Sequence, residues 1–102
     1  MPTLVKLTTL DAIPPGTARE FEHDGRIIAL FHREGGLVAV DGICPHQGGP
    51  LAEGEVVGGV VTCPWHGWQF DLASGRALLS SRVCLPVYPV EVRGAEVFVA
   101  LP

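Results

Sequence analysis

The chain has 102 residues, one domain's worth, with thirteen Gly and nine Pro, a density that favours short strands joined by turns over a helical bundle. Eleven acidic side chains against seven basic ones give a net charge of −4 and leave no basic face of the kind a nucleic-acid binder carries. The longest aliphatic and aromatic run, Ile27-Ile28-Ala29-Leu30-Phe31, falls far short of the roughly 20 residues that cross a bilayer, and Met1 to Lys6 show no leader pattern, so a cytoplasmic protein without a membrane partner is expected.

In chain order, Leu7 to Ala12 could hold a single helical turn. Thr17 to Phe21 and Arg26 to His32 read as strands flanking His23-Asp24-Gly25, a hairpin signal. Gly35-Gly36 separates the second of these from Leu37 to Val40. Glu55 to Val57 and Val60 to Thr62 flank Gly58-Gly59, two residues that accept positive φ. Trp68 to Asp71 reads as a strand closed by a turn at Ala73-Ser74-Gly75. Tyr88 to Arg93 and Ala95 to Ala100 form a closing hairpin around Gly94. No segment sustains an i, i+3, i+4 apolar pattern, so the fold class is all-β. Surface scaling allows roughly 5,500 Å² exposed when folded, enough burial for one modest core and no separate catalytic domain.

Two segments carry chemistry: Cys44-Pro45-His46-Gln47-Gly48-Gly49-Pro50-Leu51 and Cys63-Pro64-Trp65-His66-Gly67-Trp68. Each offers one thiolate and one imidazole, and the Gly58-Gly59 hairpin between them brings the two loops side by side. Two sulfurs and two nitrogens then face one point, a metal or cluster site by ligand type. A single zinc ion is the first rival. Zinc knuckles, however, pair like ligands at short spacing, whereas each loop here supplies unlike ligands. A two-iron cluster suits the pattern better.

These residues resemble the Rieske family, through the pair Cys-x-His and Cys-x-x-His and through Cys-Pro-Trp-His-Gly-Trp, Phe70-Asp71, Ser74-Gly75 and Leu85-Pro86-Val87-Tyr88-Pro89-Val90. The resemblance covers nearly the whole chain. It implies one 2Fe–2S cluster, with Cys44 and Cys63 on one iron and His46 and His66 on the other. It also implies an antiparallel β-sandwich-like base with an inserted cluster-binding subdomain, here roughly residues 43–84, the whole of 1–102 forming a single Rieske domain. With neutral imidazoles the oxidised core carries no net charge, so it accepts an electron more readily than an all-cysteine cluster.

High-potential relatives have an extra, disulfide-linked cysteine in each loop, where this chain has Gly49 and Trp65. They also donate Ser and Tyr hydroxyl hydrogen bonds to the cluster, where this chain has Trp68 and Phe70. The expected potential is therefore at the low end of the class, about −150 to −50 mV. The family's proline-rich cover is replaced by Leu79-Ser80-Ser81-Arg82-Val83-Cys84.

The resemblance implies a soluble one-electron carrier rather than an enzyme. It would link a flavin-dependent NAD(P)H ferredoxin reductase to a terminal Rieske non-haem iron oxygenase. The alternative is the small Rieske-like subunit of an assimilatory nitrite reductase, and a zinc-stabilised interaction module is a third reading. A monomer is expected. Gly48, Gly49 and Gly67 are expected as turn residues that also bring backbone N–H groups near the cluster. Cys84 is expected to be a buried structural thiol, and His23 and His32 to be surface or packing residues.

Overall fold

Glycine turns set the strand pairings. The computed structural model describes residues 3–45, 48–65, 67–80 and 82–102. Its strands are β1 (Thr3–Thr9), β2 (Ala18–His23), β3 (Arg26–Arg33), β4 (Gly36–Asp41), β5 (Glu55–Val57), β6 (Val60–Thr62), β7 (Gln69–Asp71), β8 (Val87–Tyr88), β9 (Val90–Arg93) and β10 (Glu96–Leu101). Short 3-10 turns cover Leu10–Ala12 and Leu51–Glu53. Asp24 (φ 50°) and Gly25 (φ 79°) form the two-residue link between β2 and β3, and both backbones are left-handed, as a type I′ turn requires. Gly58 and Gly59 do the same between β5 and β6.

Three antiparallel sheets result, in the orders β1-β10-β9, β2-β3-β4-β8 and β5-β6-β7. The central strand β3 explains why the apolar run at 27–31 is unbroken. Side chains alternate across a strand, and here both faces of β3 are covered. Ile28 and Leu30 enter one core with Ile13, Ala39, Tyr88, Val97, Val99 and Leu101. Ala29 and Phe31 enter the other with Val40, Leu51, Val61, Phe70, Leu85 and the thiols Cys44 and Cys63. The β2-β3-β4-β8 sheet is therefore a middle layer, with the β1-β10-β9 sheet on one side and the loops around β5-β6-β7 on the other. The folded surface is 5807 Å², close to the expectation from chain mass.

Three expectations are corrected. Tyr88 to Arg93 is not one strand: Val87–Tyr88 pairs with β4, whereas Val90–Arg93 pairs with β10. Pro89, which has no N–H to give to a ladder, stands where the chain changes sheets, and its carbonyl accepts from the N–H of Ala100. The N-terminal segment adds a strand, β1, against β10, with a register shift between Lys6 and Thr8. Only Leu10–Ala12 is helical there. Cys84 is exposed rather than buried. It forms an isolated bridge with Arg76, and its thiol meets the carbonyls of Ser74 and Leu85, at 3.8 and 3.9 Å.

Candidate metal centre

The two cysteine loops close in the same way. In the first, the N–H of Cys44 donates to the carbonyl of Gly49 at 2.8 Å, and the N–H of Gly48 donates to the carbonyl of Cys44 at 2.8 Å. In the second, the N–H of Cys63 donates to the carbonyl of Trp68 at 2.7 Å, and the N–H of Gly67 donates to the carbonyl of Cys63 at 3.1 Å. The fifth residue of each loop is a glycine in the left-handed region, Gly48 at φ 77° and Gly67 at φ 74°, the backbone state that turns the chain back on its cysteine. Both glycine N–H groups are thus used inside the loops, which fits the expected turn role of Gly48 and Gly67.

Each loop is anchored at its ends. The first springs from the bridge between Ile43 and Pro50. The second is the connection of the β6–β7 hairpin, where Thr62 pairs with Gln69 and the Gln69 amide donates to the Thr62 hydroxyl. Phe70 beneath it is fully buried, and the Trp68 ring lies 6.4 Å from it, centroid to centroid. Cys44 and Cys63 are each only 1% exposed and belong to the same core as Phe31, Leu51 and Phe70. The structure therefore places the two expected sulfur ligands together, buried and shielded from bulk water.

The loops also touch each other. A Cβ built on Gly49 would lie 2.7 Å from the Sγ of Cys63, 3.0 Å from Cγ of Trp65 and 3.3 Å from its Cβ. Gly49 and Trp65, the positions of the linked cysteines in high-potential relatives, are therefore direct neighbours across the loop interface. Neither loop contributes a carboxylate between residues 44 and 52 or between 63 and 70. Buried thiols without carboxylates suit a soft metal centre and not a hard cation such as magnesium or calcium. His46, Gln47 and His66 lie outside the described residues. Of the other histidines, His23 lies beside Asp24 at the surface, and His32 is held through Nδ1 by the Ile13 carbonyl at 2.7 Å, in line with surface and packing roles.

An all-β scaffold offering two matched cysteine loops at one end defines a class: small metalloproteins of soft donor set, in which a shared core rigidifies the site. The chain belongs to the Rieske [2Fe-2S] domain family, whose model matches residues 3–89. It is an electron-transfer protein with one 2Fe–2S cluster, not itself a catalyst. It is 34% identical over 96 residues to the ferredoxin component of an alkene monooxygenase system from Xanthobacter autotrophicus, covering 93% of this chain and 79% of that one. Among solved structures it is similar to a chain in the complex of reduced oxygenase and oxidised ferredoxin in carbazole 1,9a-dioxygenase, with TM-score 0.84 and 33% identity over 95% of this chain and 92% of that one. It is also similar to a structure described as an NADH-dependent nitrite reductase small subunit from Mycobacterium tuberculosis, with TM-score 0.87 and 28% identity over 100% of this chain and 97% of that one.

Proposed function

We propose that Cys44 and Cys63 hold one iron of the cluster and His46 and His66 the other, within a cluster-binding subdomain spanning roughly residues 43–84. In this reading the chain carries single electrons from a flavin-dependent NAD(P)H ferredoxin reductase to a terminal Rieske non-haem iron oxygenase. The observation that supports it most is the pair of identically closed loops whose buried thiols share one core. When bound, the cluster supplies reversible one-electron chemistry. The protein's own part is to keep both thiols dry, fix their spacing through Gly48, Gly49 and Gly67, and leave the cluster end of the molecule open to a partner. A monomer acting in the cytoplasm fits this role, and among the described residues no helix is long and apolar enough to cross a membrane.

Anaerobically purified protein is expected to be red-brown, to contain iron and acid-labile sulfide in equal amounts, and to bleach with dithionite. Cys44→Ser and Cys63→Ser should lose the cluster. His46→Cys or His66→Cys, where a cluster still forms, should shift the paramagnetic spectrum of the reduced state and lower the potential, because a thiolate adds negative charge. Iron-free protein, or spectra unmoved by both histidine changes, would refute the ligand assignment.

A second reading is the small subunit of an assimilatory nitrite reductase, favoured by the close fold match to the mycobacterial chain. Stable co-purification with a much larger flavin- or sirohaem-bearing chain would select it. Copurification or turnover with a reductase and oxygenase pair would select the carrier.

A further inference from the structure

Gly49 is buried, yet it has no side chain of its own to bury. What covers it comes from the other cysteine loop. A Cβ at this position would stand 2.7 Å from the Cys63 sulfur and 3.0 and 3.3 Å from Cγ and Cβ of Trp65. Carbon atoms in contact stand about 3.5–4.0 Å apart, so the notch left by the missing side chain is already filled, in part by the root of the tryptophan. The rest of the indole is not drawn inward, since Trp65 is 59% exposed. Trp68, three residues on, is partly buried and lies against Phe70. The two tryptophans of this loop therefore have different neighbours: one meets the core, and the other meets the opposite loop.

The contact joins loops whose own closures stay separate. The four hydrogen bonds that shape them each run within one loop. All three cysteines are free thiols, so no disulfide ties one loop to the other. Trp65 is two residues from Cys63, and Gly49 accepts the N–H of Cys44 on its carbonyl at 2.8 Å. A continuous path thus runs between the thiols: Cys63, the Trp65 root, Gly49, and the hydrogen bond to Cys44. Displacing the Trp65 root frees Gly49, and a shift of Gly49 pulls on the backbone that sets Cys44.

Resting on the ligand assignment above, we propose that Trp65 is a positioning residue for the cluster: its Cβ and Cγ, seated against Gly49, hold the two cysteine loops at a fixed spacing. The ring beyond Cγ takes no part in this, so phenylalanine or leucine should serve at position 65 and alanine should not. Shielding from water would instead depend on the ring. General stability would respond equally to substitutions in the other core.

The test loads the full chain with its cluster anaerobically and follows the loss of visible absorption in air with an iron chelator present. Trp65→Ala should lose the cluster about tenfold faster than the native chain, whereas Trp65→Phe and Trp65→Leu should stay within about twofold. The reduced-state paramagnetic spectrum should shift in Trp65→Ala and stay native in Trp65→Leu. Val99→Ala, in the core away from the thiols, should lower Tm and leave the loss rate unchanged below its melt. Gly49→Ala should be less harmful in a Trp65→Ala background, because the space held by Cγ is vacated. The two rate increases should then fall short of multiplying.

A native loss rate in Trp65→Ala, an equally fast loss in Trp65→Leu, fully multiplicative effects in the double variant, or an equal effect of Val99→Ala overturns the proposal. If Trp65→Ala takes up no cluster, the phenylalanine and leucine variants decide: normal loading supports the positioning role, and failure to load refutes it. A native chain without iron and acid-labile sulfide fails the ligand assignment itself and is recognised before any variant is compared.

Discussion

Gly48 and Gly49 are adjacent, yet substituting alanine at each should fail for different reasons. At Gly49 the added Cβ would sit 2.7 Å from the Cys63 sulfur, roughly 1 Å inside the usual contact distance. It cannot back away, because Cγ and Cβ of Trp65 already stand 3.0 and 3.3 Å from the same point. Relief requires moving the thiol or parting the loops. Overpacking of this kind costs about 1–3 kcal/mol, and in a chain of this size each kcal/mol lowers Tm by about 4–8 °C.

At Gly48 the Cβ would meet nothing within 4 Å, but the backbone stands at φ 77°. Holding alanine there costs about 1–2 kcal/mol of strain. The two losses of stability overlap, so thermal melts alone will not separate them. The cluster will: Gly49→Ala should shift the visible circular dichroism and the reduced-state paramagnetic spectrum and shorten the lifetime of the cluster in air. Gly48→Ala should retain native spectra at a lower Tm. Native spectra and an unchanged Tm for Gly49→Ala would refute the close approach of the two loops.

The two faces of β3 should separate in the same way. Phe31→Ala, in the core that holds both thiols, is expected to cost about 3–5 kcal/mol and to perturb the cluster's visible spectrum. Leu30→Ala, in the other core, should cost about 2–5 kcal/mol in chemical denaturation and leave that spectrum alone. Burial holds the Asp41 carboxyl above the ordinary carboxylate range, against the opposing pull of Arg26 and the Tyr88 hydroxyl. A raised folded-state value means that the native chain binds the proton more tightly than the unfolded one. This stabilisation is complete below the unfolded value and lost as pH rises through the folded one. Asp41→Asn should remove that slope from the acid limb of a stability–pH curve. Protein-film voltammetry should place the midpoint potential at about −150 to −50 mV, and a value well above +100 mV would contradict the missing-donor reasoning at Trp68 and Phe70.

The turns, most strands and the two cysteine loops were legible in the sequence because each is set by local chemistry. Gly58-Gly59 and Asp24-Gly25 need left-handed backbone whatever surrounds them, and Cys-Pro-His beside Cys-Pro-Trp-His-Gly is a donor set that few other functions require. Strand β1 was not legible: its burial pattern lacks a clean alternation, its register slips near Lys6, and it pairs with β10 at the other end of the sequence. The split at Pro89 was equally hidden, since Tyr88 and Val90 read as parts of one strand until different sheets claim them.

Tertiary structure alone decided that Cys84 faces solvent and that Gly49 stands against Trp65 and the Cys63 sulfur across two loops. Residue type and spacing fix what a side chain can bind. Which side chains stand next to one another depends on pairings between distant segments, and no local pattern encodes those.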